Sequence, residues 1–154
     1  MEAAQRFLEA KERYPEGSER WAAATALSFS LLKQKECAEV AKPEWWNDEG
    51  LKALSARVVR AAPNGGDANE MRALVLSGLG DAWEAGPRSA AELKEAGTRL
   101  ERAAALCDAP VVAAEFIFLA CCTKDDEDEC AAALDALRKA KGGGAADMFS
   151  LYSQ

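Results

Sequence analysis

The chain contains no histidine. That absence removes imidazole acid–base catalysis, the Ser-His-Asp and Cys-His nucleophile arrangements, and the two-histidine helix of zinc hydrolases. β-branched residues are scarce as well: valine, isoleucine and threonine together number ten in 154 residues, against 34 alanines. Alanine has the best intrinsic helix propensity and β-branched side chains favour strands, so the imbalance predicts helix along nearly the whole chain. Long apolar runs are also missing. The strongest, residues 111–122, has 12 positions with Glu115 inside it, short of the roughly 20 needed to cross a bilayer. It reads as a buried helix, and no membrane insertion is expected. The opening residues Met1 to Arg6 lack a basic segment followed by an apolar one, so no secretory leader is expected.

What is present is acidic. The 26 Asp and Glu outnumber 19 Lys and Arg, for a formal charge of −7. Affinity for a polyanion rests on Lys and Arg neutralising phosphates, so nucleic acid is not an expected partner. Five cysteines at positions 37, 107, 121, 122 and 130 form no CxxC pair and have irregular spacing. They make a poor disulfide framework and fit a reducing, intracellular compartment, the cytoplasm or an organelle reached after processing.

The remaining chemical motifs are weak. Cys121, Cys122 and Cys130 could hold a soft metal or exchange disulfides, but adjacent helical residues point about 100° apart and free cysteine packs as a small hydrophobe. The acids Asp125, Asp126, Asp128 and Glu129 lack the glycine and distant glutamate of a calcium loop, and read as a solvated helix start. Ser77-Gly78-Leu79-Gly80 holds a GxG, yet Trp83 stands where a dinucleotide fingerprint requires its third glycine and no strand precedes it. Gly142-Gly143-Gly144 follows a helix, whereas a phosphate loop precedes one. No catalytic residue, metal site or cofactor is assigned, and the chain reads as a non-enzyme.

Capping chemistry places the helices. Ser89-Ala90-Ala91-Glu92 and Asp67-Ala68-Asn69-Glu70 both have the capping-box pattern, and Ser18 after Gly17 caps another start. Pro43 disfavours helical geometry at Lys42 and is expected to end the helix begun at Ser18. These signals predict helices over about 2–13, 18–41, 48–62, 67–84, 89–108, 111–123 and 126–141, within a single domain 1–142 followed by a tail 143–154.

Pro15, Pro63 and Pro110 each close one helix before the next begins, at spacings of 48 and 47 residues. Each unit is then a helix hairpin, unable to bury its apolar face unless stacked on a neighbour. In the second unit Leu79-Gly80-x-x-Trp83, Ala96-x-x-x-Leu100-x-x-Ala103 and the closing Pro110 resemble the tetratricopeptide signature. The resemblance implies an all-α fold, a right-handed stack of antiparallel hairpins with about seven helices, and a scaffold or interaction module binding a protein along the first helices of its hairpins. The period also suits a HEAT-like repeat. The inner face implied by the resemblance carries Arg20, Asn69 and Arg72.

Consecutive aromatics on a helix cannot both face one core, so Trp45 and Trp46, in the longest turn, are candidates for partner anchoring. The alternative is that this turn folds back over the stack. Phe149 and Tyr152 in the tail pose the same choice. Anchors of that kind would suit a subunit embedded in a larger assembly.

Overall fold

The computed structural model describes residues 2–78 and 82–106, and within them the chain forms five α-helices and no strand. They are α1 (Glu2–Arg13), α2 (Glu19–Leu32), α3 (Asp48–Ala61), α4 (Gly66–Ser77) and α5 (Ala90–Ala105), with a one-turn 3₁₀ helix at Lys35–Cys37 between α2 and α3. The helices expected over 111–123 and 126–141, the cysteines after Cys37, and Phe149 and Tyr152 lie outside the described residues.

Each helix packs on the next, and α2 also packs on α4. Five residues join α1 to α2 and four join α3 to α4. Links of that length span at most about 18 Å, too short to return the chain along a helix of 12 to 14 residues. Both pairs are therefore antiparallel hairpins. α2 lies at the centre, with Trp21, Ala22, Ala26 and Phe29 meeting Leu51, Leu54 and Val58 of α3 and Ala68, Met71 and Val75 of α4. Two hydroxyls share that interior: Thr25 donates to the Trp21 carbonyl and Ser28 to the Ala24 carbonyl, both at 2.7 Å, so neither is buried without a partner. α1 covers α2 through Ala4 and Leu8. α5 covers α4 with Leu100 and the small residues Ala96, Gly97, Ala103 and Ala104 buried, and the small ones allow two helix axes to approach closely.

Two starts follow their local signals. The Ser18 hydroxyl accepts from the Trp21 N–H, and Ser89 with Glu92 closes a complete capping box. The box expected at Asp67 does not form. α4 begins one residue earlier, at Gly66 behind a Gly65 cap with no side chain, so Asp67 sits in the first turn, where its charge complements the helix dipole.

Two helix ends differ from expectation. α2 stops at Leu32, nine residues before the predicted end at 41, because Gln34 turns to extended backbone and the following 3₁₀ turn tucks Cys37 against Ala4 and Leu32. Lys42 then donates to the Cys37 and Val40 carbonyls, taking over backbone acceptors that a continuing helix would have used. Burial of Cys37 outweighs the modest propensity of the polar stretch. α4 stops at Ser77, seven residues before the predicted 84, because Gly78 adopts the left-handed conformation (φ +65°) that terminates helices.

Candidate functional site

The turn after the 3₁₀ helix and the loop after α4 meet at one corner of the stack. Trp46 packs on Phe29 with ring centroids 5.6 Å apart, Trp83 on Phe29 at 5.9 Å, and the two indoles lie 6.3 Å apart nearly edge-on. The Trp46 N–H donates to the Ala82 carbonyl at 2.9 Å. Trp45 lies 5.8 Å from Trp46 and receives the Lys11 amine over its face. The turn therefore folds back over the stack, and both indoles are half-buried in contacts within the chain. Residues 43–47 are not helical, so the pair escapes the 100° rule that would have forced one of them outward.

One ionic latch holds the corner in shape. Each Asp48 carboxylate oxygen accepts two donors: Oδ1 from the Trp83 indole (3.1 Å) and Arg88 Nη2 (2.6 Å), Oδ2 from the Gly86 N–H (3.1 Å) and Arg88 Nη1 (2.9 Å). Arg88 spends its other donors on the Leu76, Val75 and Gly86 carbonyls, two of which belong to the unsatisfied C-terminus of α4. All five guanidinium N–H groups are matched. The Arg88 hydrogen bonds, ahead of every other influence, hold the Asp48 carboxyl well below the usual carboxylate range. One turn along α3, Lys52 hydrogen-bonds Glu92 at 2.7 Å and, with the Ser89 N–H, lowers that carboxyl to about 2.

Beside the latch is a recess of about 420 Å³. Phe29, Leu32, Leu74 and Trp83 give it an apolar lining, and the described lining includes Lys33, Lys35 and Lys42 but no acid; Glu36 and Glu39, both exposed, are next to Lys35 and Ala38 along the chain. Lys33 is half-buried with its amine 5.7 Å over the Phe29 ring. Burial pushes that amine's pKa down, and the charge of Glu70 on α4 only partly opposes the shift. Glu70 is pushed up, again chiefly by burial, so the two groups do not fully compensate each other. Lys35 is exposed and has no ion pair among the described residues. Lys42 caps the 3₁₀ turn and lies over Trp46. No group of three or more potential metal ligands occurs among the described residues.

Of the three residues expected on an inner face, two are engaged between helices and one is exposed. Asn69 is fully buried; its amide donates to the Pro63 and Gly65 carbonyls and its oxygen accepts from Arg99, pinning the α3–α4 turn under α5. Arg72 donates to Glu95 of α5 and to the Lys52 carbonyl and Ser55 hydroxyl of α3, bridging three helices. Arg20 is exposed on the first turn of α2. Asn69 and Arg72 are thus committed to helix–helix contacts. The lysine cluster and the Asp48–Arg88 latch had no sequence signal beyond the helix start at 48, because the latch partners are 40 residues apart.

No family model, curated protein or solved structure matches the chain.

Proposed function

We propose that this chain is a non-catalytic protein-binding module, a stack of tetratricopeptide-like helix hairpins that holds another protein at the corner formed by α2, the 3₁₀ turn and the loop after α4. A HEAT-like arrangement of the same hairpins would serve equally. The observation that carries the reading is the recess: an apolar lining, a cationic rim on an acidic chain, and walls fixed by the Asp48–Arg88 latch. Its described lining offers only Phe, Leu, Ala, Trp, Gln and Lys side chains, which suit contact and charge pairing better than proton transfer. Preformed pockets that accept a buried anchor dominate the energetics of protein recognition.

A permanent structural subunit is the second reading, favoured by the strip of Ala3, Phe7 and Ala10 along α1, which lines a shallow surface groove.

Affinity capture from the source cell with the full chain, beside a Lys35→Glu variant, tests the proposal. The expected result is one partner retained at near-stoichiometric amount by the wild type and depleted on the variant. Failure of the wild type to retain any protein above a tag-only control would overturn the module reading. Equal retention by both forms would move the interface away from this corner.

A further inference from the structure

Resting on that module reading, we propose that the recess takes one large apolar side chain from an acidic linear segment of the partner, with carboxylates flanking that side chain meeting Lys33 and Lys35. Charge selects this occupant. The whole chain is acidic at −7, yet the described rim of this recess is lined by three lysines and no acid. Lys42 already donates to two backbone carbonyls, which leaves Lys33 and Lys35 as the amines best placed to meet an incoming anion. Lys33 is half-buried over the Phe29 ring, and Glu70 offsets its lost hydration only in part, so a carboxylate brought beside it would restore a partner that water no longer fully supplies. The repulsion expected between an acidic partner and the net negative chain is screened beyond roughly 8 Å at physiological ionic strength, whereas contacts at the rim act inside that distance.

Size selects the anchor. About 420 Å³ falls in the lower part of the range of pockets that hold compact ligands, roughly 300–1,000 Å³. Among its apolar lining residues Trp83 and Leu74 are part-exposed while Phe29 and Leu32 are buried, so an aromatic or long aliphatic side chain would gain contact with the Trp83 indole as well as apolar burial.

The test is calorimetric titration of the full chain, at physiological ionic strength, with blocked heptapeptides carrying a central phenylalanine flanked on each side by two aspartates. The blocked ends remove terminal charges, so only side-chain carboxylates are read. Counterparts with alanine in the centre, or with lysines in place of the aspartates, are expected to bind at least tenfold more weakly. Lys35→Glu and Lys33→Met are expected to weaken the acidic phenylalanine peptide by tenfold or more. Lys35 is exposed, so its variant keeps the fold, and an unchanged far-ultraviolet circular dichroism spectrum confirms that for both.

Equal binding of the lysine-flanked peptide, or indifference to both variants, would overturn the charge assignment. Tighter binding of decanoate or 4-phenylbutyrate than of the peptide would overturn the peptide assignment in favour of a small amphiphilic acid. If no peptide binds while Lys35→Glu still loses the captured partner, the acidic-segment inference fails and the module reading stands. If the peptide binds and the wild type captures no protein, the module reading fails instead.

Discussion

Replacing Asp48 with asparagine tests whether the corner is held by its latch. The side chains of Arg88 and Asp48 are 6% and 21% exposed, and each carboxylate oxygen accepts two donors. Asparagine keeps the shape but offers one acceptor oxygen, so whichever way the amide turns, its NH₂ faces two donors. Arg88 then remains buried without a countercharge at 3 Å. Breaking one side of a buried, hydrogen-bonded pair costs about 3–5 kcal/mol; partial water access to Asp48 reduces the expectation to about 2–4 kcal/mol. For a chain of this size the midpoint of thermal unfolding should fall by roughly 5–15 °C.

Urea denaturation followed by circular dichroism at 222 nm gives the free-energy difference, and pH supplies a second check on the same mechanism. The carboxyl of Asp48 is held below its unfolded value near 3.9, so its contribution is fully present above about pH 5 and is lost as pH falls toward the folded pKa. The gap between wild type and Asp48→Asn should therefore narrow steadily from about pH 5 to pH 2. Arg88→Lys should lose nearly as much as Asp48→Asn, since one ammonium with three donors cannot serve five acceptor positions in a fork. A loss below about 1 kcal/mol for Asp48→Asn at pH 7, or a gap that does not change with pH, would show that the corner is held by aromatic packing alone.

Four other outcomes follow from local geometry. Gly50→Ala places a Cβ 2.5 Å from the Trp45 carbonyl oxygen, so it should destabilise by about 1–3 kcal/mol in urea melts despite the roughly 1 kcal/mol that alanine gains in a helix; Gly78→Ala, at φ +65°, should cost about 1–2 kcal/mol. Asn69→Ala leaves the Pro63 and Gly65 carbonyls without their side-chain donor and Arg99 without an acceptor, and should cost about 2–3 kcal/mol by the same measurement. In an NMR titration Glu92 should ionise near pH 2, and Lys52→Gln should raise its pKa toward the ordinary glutamate value of about 4.3; an unchanged Glu92 titration would remove Lys52 as the chief cause.

The sequence was readable where the physics is local. Ser18 and Ser89 act within three residues of themselves, and alanine-rich amphipathic stretches become helices whichever partner they meet, so five helices and two of the three side-chain caps were legible, the Asn47 cap of α3 being the one passed over. The ends of α2 and α4 were not, for different reasons. Gly78 carried a readable signal for a left-handed cap, hidden by the resemblance of Leu79-Gly80-x-x-Trp83 to a helical motif; Leu79 and Gly80 lie outside the described residues, while Trp83 stands in a loop. The end of α2 is set by burial of Cys37 against α1, a contact about 30 residues away that no window around Gln34 contains.

The candidate site belongs wholly to this second kind. Trp83 reaches Asp48 across 35 residues, Trp46 reaches Ala82 across 36 and Arg88 reaches Asp48 across 40, so the site exists only once α3 and the loop after α4 are already side by side. The Trp45 and Trp46 indoles, singled out for their position in a long turn, pack within this corner and do not line the recess. The recess they support is lined instead by lysines that read, along the sequence, as ordinary solvated charge. Helix faces are encoded by periodicity and can be assigned residue by residue; a corner is encoded by where helices stop. Two early stops, at Leu32 and Ser77, free the segments that build this one. Substitutions that extend either helix should therefore erase the recess before they unfold the stack.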